Sequence, residues 1–218
     1  MNVIELLDTI TLLEERVENS LLLLDIDQTL LEPNNIFIYR KLPTDKKEIK
    51  LTPEQYASDP SSKKAENRKY YDYREFRDAE KVGNSIKTGL PIVSTLKTMD
   101  EYIKQGWKIG ILTARGMEEV VFKSLKAWLM FKDKKGDIKN IGDKLVRKLV
   151  FAMHDDETPG GTHYPGGTDF EKKANVIKKL SKKFNRIIFV DDDVKNVKAV
   201  KGLKLKNVMV KYVSRIKK

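Results

Sequence analysis

Four places in the sequence carry side chains that could do chemistry together. Asp25 and Asp27 stand two residues apart after the apolar run at residues 21 to 24. Thr113 closes a second apolar stretch, residues 107 to 112, and is followed by Ala114 and Arg115. Lys172 and Lys173 open an amphipathic segment, and Asp191-Asp192-Asp193 follow the apolar residues 187 to 190. Three or four carboxylates converging in one crevice cannot all be ionised without a cation. The chain has no cysteine and only two histidines, His154 and His163, so thiolate chemistry and a three-histidine metal site are excluded. An oxygen-only ligand set drawn from Asp25, Asp27, Asp191 and Asp192 favours a hard metal, and Mg²⁺ is the expected cofactor. Mg²⁺ keeps several waters and usually shares a phosphate with the substrate. A threonine hydroxyl can hydrogen-bond a phosphoryl oxygen, and a lysine can neutralise charge on the equatorial oxygens. These parts together describe phosphoryl transfer.

The elements that must bring them together follow from hydrophobic periodicity. Val3, Leu6, Leu7, Ile10, Leu13 and Val17 recur at helical spacing, which predicts an amphipathic N-terminal helix within residues 1 to 20. Residues 21 to 24 are an uninterrupted apolar run ending in acids, the pattern of a strand buried on both faces. From residue 92 onward, helical and strand patterns alternate. Helices are expected from Ile92 to Gly106, around Val121 to Trp128, from about Phe170, and over residues 194 to 200. Strands are expected at residues 107 to 112, 149 to 153, 187 to 190 and 208 to 213. This alternation predicts an α/β fold, a Rossmann-like parallel sheet of about five strands covered by helices, and the order expected for it is 3-2-1-4-5. Ligands bind such sheets at the carboxyl ends of the strands, near the point where the strand order reverses. Asp25, Asp27, Thr113, Asp191 and Asp192 all fall there.

Residues 33 to 89 break the pattern and read as an insert. A short hairpin is expected from residues 36 to 39 and 48 to 51, and a helical tract over residues 66 to 80. The main domain then spans residues 21 to 213, with a basic tail at 214 to 218.

With 218 residues, 40% of them hydrophobic, the chain can bury a core as one domain carrying an insertion. No apolar run approaches 18 residues, so no membrane span or membrane partner is expected, and acids among the first apolar residues argue against a signal peptide. The expected compartment is the cytoplasm, the host's if the source is viral. The net charge of +11 is unevenly spread: residues 171 to 218 hold 16 Lys and Arg against 4 acids, while the rest is near balance. Such a segment either attracts phosphate-bearing partners or is a solvated lysine surface.

The motifs in order resemble those of the haloacid dehalogenase superfamily of phosphotransferases. Asp25-Ile26-Asp27-Gln28-Thr29 matches its Asp-x-Asp-x-Thr, Ile111-Leu112-Thr113 its second motif, Lys173 the lysine of its third, and Phe189-Val190-Asp191-Asp192 its paired acids. Gln28 stands where the family often has glycine. The resemblance implies a phosphatase in which Asp25 is the nucleophile and Asp27 the general acid and base, with its backbone carbonyl on Mg²⁺. Asp192 would ligate the metal, with Asp191 direct or through water. Thr113, Ala114, Arg115 and Lys173 would contact the phosphoryl group. The insert would be a cap, and its run Tyr71-Asp72-Tyr73-Arg74-Glu75-Phe76-Arg77-Asp78-Ala79-Glu80 resembles small phosphatase-like proteins of tailed phages.

Several residues keep two readings. Arg115 could touch a substrate phosphate or form a structural ion pair. His154 could be a polar loop residue or a substrate contact. Asp193 reads as a helix cap. The expected substrate is a phosphomonoester, a nucleotide or the end of a nucleic acid. The alternative is a non-catalytic binding or virion-associated protein that keeps the fold. A receiver-type signalling domain would not need Asp-x-Asp-x-Thr. No Gly-x-x-x-x-Gly-Lys-Ser/Thr pattern is present, so no kinase half is expected.

Overall fold

A computed structural model describes residues 19–132 and 138–214. The expected N-terminal helix and all of the basic tail except Ser214 lie outside the described residues. The main sheet has five parallel strands: β1 (Ser20–Leu24), β2 (Lys108–Thr113), β3 (Leu145–Ala152), β4 (Arg186–Asp191) and β5 (Val208–Tyr212). Their order is β3-β2-β1-β4-β5, the order expected. The chain runs outward from β1 through β2 to β3, then returns to the other side of β1 as β4. The order therefore reverses between β1 and β4, where Leu24 pairs with Val190 and Asp25 N–H donates to the Val190 carbonyl at 3.0 Å.

The central strand shows why its leucine run is uninterrupted. Leu22 and Leu24 face one core with Ile109 and Ile111, while Leu21 and Leu23 face a second core with Ile177 and Phe189. All four leucines are essentially fully buried. Successive side chains of a strand point to opposite faces, so a strand covered on both sides has no polar position to offer. The helices around the sheet are α2 (Ala79–Lys87), α3 (Val93–Lys104), α4 (Glu118–Trp128), α5 (Asp169–Leu180) and α6 (Val194–Gly202), with the short α1 (Pro53–Ser58) in the insert. Apolar side chains of α2, α3 and α4 fill the first core, and those of α5 and α6 the second. Close packing extends to the backbone: a Cβ on Gly110 of β2 would stand 2.8 Å from the Leu149 carbonyl of β3.

The insert has a closed neck, where Leu31–Glu32 pairs antiparallel with Leu90–Pro91. Beyond it, Ile38–Arg40 pairs with Ile49–Leu51 and with Tyr71–Asp72, forming a small three-stranded sheet. The expected hairpin is present, with its first strand shifted toward Arg40. The expected continuous helix over residues 66 to 80 is not. That tract is a 3-10 turn (Ala65–Tyr70), a strand (Tyr71–Asp72), a second 3-10 turn (Arg74–Arg77) and only then α2. Tyr71 is buried against Asp59, to which its hydroxyl donates at 2.9 Å, so it belongs to the small sheet. Asp72 and Asp78 accept hydrogen bonds from backbone N–H groups just ahead of them, which restarts the chain at each point. β3 begins at Leu145, ahead of the expected residue 149, with a register shift between Leu145 and Val150. A hairpin of Met130–Lys132 and Ile138–Asn140, which periodicity did not indicate, leads into it.

Because β1 is packed on both faces, truncating it should leave a cavity that neither side can fill. Leu23→Ala is expected to lower the unfolding free energy by about 2–5 kcal/mol, read from urea denaturation at unchanged m-value. A loss below about 1 kcal/mol would contradict this packing.

Candidate active site

The first motif leaves β1 in a tight loop in which the N–H groups of Thr29, Leu30 and Leu31 all point to the Ile26 carbonyl, at 2.8 to 3.2 Å. Gln28 adopts φ 59°, a left-handed conformation that glycine takes without strain and other residues take at a cost of about 1 kcal/mol. That is the physical reason glycine suits this position. The loop turns Asp25 inward and leaves Asp27 partly open to solvent.

Helix α5 supplies the lysine. Thr168 caps it and Glu171 completes a capping box, which sets the first turn and thereby the direction of the residues that follow. Lys173 Nζ donates to Asp25 at 3.0 Å and to Asp191 at 2.8 Å, with its side chain only 1% exposed. Lys172, about 100° around the helix, instead donates to the Met153 carbonyl at 2.8 Å and lies 3.9 Å from Asp156. It ties the end of β3 to α5. At the end of β4, Asp191 also accepts from Asn196 Nδ2 at 3.0 and 3.1 Å and from the Asp193 N–H at 2.7 Å. Asp193 caps α6 by accepting from the Lys195 N–H, as the sequence indicates.

Carboxylate oxygens of Asp25, Asp191 and Asp192 lie within 4.8 Å of one another, all three residues buried. The Lys173 ammonium lies between two of these carboxylates, Asp25 and Asp191. Burial, together with the neighbouring Asp191, Asp192 and Asp27 carboxylates, pushes Asp25 well above the usual carboxylate range, against the pull of Lys173. Burial opposes the charge on Lys173, but Asp25 and Asp191 outweigh it and hold its pKa above the ordinary value. The donor set is oxygen-only and buried, and it could hold a metal ion.

No family model matches this chain, and no curated protein matches it.

The carboxylate of Asp27 is held apart from the acidic triad. Arg115 grips both of its oxygens, Nε to one at 2.9 Å and Nη2 to the other at 2.7 Å. The guanidinium is buried and also donates to Ser85 Oγ at 2.7 Å and to the Val82 carbonyl at 3.4 Å, both in α2. Of its two sequence readings, Arg115 takes the ion pair. A cleft of about 140 Å³ opens over the site, lined by Asp25, Asp27, Ala114, Lys173 and Asp192 among the expected residues. Thr113, Arg115 and Asp191 stand behind its wall. Thr113 is fully buried, and its hydroxyl accepts the Arg115 N–H at 3.3 Å.

The cleft is completed by residues that sequence reasoning passed over: Gln28, and Pro53 and Glu54 at the start of α1 in the insert. Thr52-Pro53-Glu54-Gln55 is a legible helix start with a capping box, but nothing local says that it faces Asp27. Ser85, the partner of Arg115, carries no local signal at all. His154 bridges Glu157 at 2.9 Å and Asp169 at 2.8 Å, and Glu157 in turn pairs with Arg77 of the insert at 2.7 Å. It therefore ties the loop after β3 to the first turn of α5.

Two measurements test this geometry. Lys173→Ala should abolish whatever activity the acidic triad supports, while Lys172→Ala should leave most of it; equal losses would mean the two lysines share the site. The second concerns His154, whose pKa is raised by Asp169 above its ordinary 6.5. A raised histidine stabilises fully below its unfolded pKa, and that contribution is lost as pH rises through the folded value. His154→Gln should therefore lower the melting temperature at about pH 5.5 and change it far less at about pH 9. A pH-independent difference would mean the bridge contributes no charge interaction.

Proposed function

We propose that this chain is an Mg²⁺-dependent phosphomonoester hydrolase of the haloacid dehalogenase type, working through an aspartyl-phosphate on Asp25. One observation carries the reading: two carboxylates two residues apart have been given opposite surroundings. Asp25 is buried against Lys173 in the acidic triad, and Asp27, partly exposed and outside the triad, is gripped by the buried Arg115. A nucleophile must face the phosphorus, and an acid–base group must face the leaving oxygen. Separate supports for the two carboxylates supply that division.

In this mechanism an Asp25 oxygen attacks phosphorus, the bond to the leaving oxygen breaks, and Asp27 delivers a proton to that oxygen. Asp27 then takes a proton from a water, whose oxygen attacks the aspartyl-phosphate, freeing phosphate and restoring Asp25. Arg115 keeps Asp27 in one orientation through both halves. Lys173 holds Asp25 in place and offsets charge on the phosphoryl oxygens. Thr113, buried beneath them, fixes the backbone turn at Ala114. Mg²⁺, held by Asp25, Asp191 and Asp192, would supply positive charge to the phosphoryl oxygens.

A nucleotide or the phosphorylated end of a nucleic acid is the favoured substrate class. The cleft is small beside a nucleoside, so a base would lie outside it, against the Pro53–Glu54 side. No helix among the described residues is long and apolar enough to cross a membrane.

The test is a phosphatase screen with Mg²⁺ over mononucleotides, sugar phosphates and 3′- or 5′-phosphorylated oligonucleotides. Asp25→Asn should cut turnover by on the order of 10⁴-fold or more, the scale of losing a covalent nucleophile. Asp27→Asn should cost much more with alkyl than with aryl phosphates, whose departure needs little protonation. Activity that survives Asp25→Asn would overturn the aspartyl-phosphate. No hydrolysis of any substrate by the unaltered protein would favour a non-catalytic binding role for the fold.

A further inference from the structure

The far end of the sheet carries a feature that the active site does not use. Between Lys178 and Ser214 the chain contains eleven Lys and Arg, and its only acids are Asp191, Asp192 and Asp193 at the active site. All eleven basic side chains are exposed. Among the described residues none of them is in an ion pair. Elsewhere the basic groups are commonly paired, as Arg40, Arg74, Arg77 and Arg147 are. Eleven exposed cations against three acids, with none of the eleven in an ion pair among the described residues, give this stretch a positive surface.

The surface is also concave. A groove of about 1120 Å³ lies at the amino ends of β4 and β5, and its lining includes Lys182, Lys183, Arg186 and Lys206. Asp191 ends the strand that Arg186 begins, so the groove lies a strand length from the cleft, roughly 17 Å at about 3.3 Å per residue. The apolar residues of its floor, Phe184, Ile187 and Ile188, are buried; Met209 is the one large apolar side chain there that is well exposed.

We infer that this groove binds the phosphate backbone of a nucleic acid, as a second site distinct from the active-site cleft. Three features favour that occupant. A concave wall takes a rod and does not fit a flat lipid surface. A floor with one exposed apolar anchor offers little to an amphipathic peptide. Lining cations that are in no ion pair among the described residues suit a polyanion read by charge and not by sequence. Binding here needs neither Mg²⁺ nor Asp25, so it is independent of the phosphatase chemistry.

The test measures binding without catalysis. A fluorescein-labelled single-stranded oligonucleotide lacking terminal phosphates is titrated with the full chain in EDTA, by polarisation, over a range of salt. Affinity should fall with salt at a log–log slope of about −0.7 per neutralised phosphate. Replacing Lys182, Lys183 and Lys206 together by glutamine should weaken binding by about tenfold or more and flatten the slope. That variant spares Arg186, which stacks over Trp107 at 5.4 Å, so it should melt like the parent protein. Asp25→Asn should bind as well as the parent. Lys195→Gln with Lys198→Gln, on α6 beside the cleft, should change binding little. Any of three results overturns the nucleic-acid groove: no binding at low salt, a loss confined to the Lys195 and Lys198 variant, or equally tight binding of anionic vesicles or poly-glutamate.

Discussion

Charge crowding at the reversal of strand order is the constraint on which the rest of the molecule depends. Three carboxylates are held within 4.8 Å in a buried crevice, with a single lysine between two of them. Left alone, such a cluster repels itself and costs folding energy. It persists because the surroundings leave it no room to relax. Asp191 has its oxygens fixed by Lys173, Asn196 and a backbone N–H, Asp25 is tied to β4 through its own N–H, and the strands carrying them are packed on both faces. Strain of this kind is tolerated where function needs it and is offset by packing elsewhere.

Each support reaches the cluster from a different stretch of chain. The capping box at Thr168 and Glu171 starts α5 at a defined residue, and that decides which of two adjacent lysines turns inward. Lys172 is turned the other way and, with His154, binds the loop after β3 to α5. The left-handed Gln28 lets the first loop close on Ile26 and aims Asp27 away from Asp25. A one-residue error in either place would exchange the surroundings of neighbouring side chains.

Arg115 joins the insert to the site. It grips Asp27 with one edge of its guanidinium and α2 with another, through Ser85 and Val82. The insert also contributes Pro53 and Glu54 to the cleft and pairs Arg77 with Glu157 beyond β3. Residues 33 to 89 thus touch the site in two ways and the loop after β3 in a third, although their own pattern is the least regular in the sequence.

Much of this was legible before folding. The two-faced burial of β1 and the placement of Asp25, Thr113 and Asp191 at strand ends follow from period and position, because strands and helices impose fixed spacings on buried side chains. Asp193 as a cap followed from local chemistry in the same way. The helix expected over residues 66 to 80 failed because Tyr71 pairs with Arg40, far back in the chain, and periodicity does not see such pairing. The choice of Arg115 between phosphate and ion pair, and the roles of Ser85 and Glu54, were invisible for a related reason. Each depends on where another element lies in space, and no local pattern carries that. Sequence alone determined which residues stand at the ends of the strands; tertiary packing decided what each one touches, since contact is set by elements that meet only when the chain is folded.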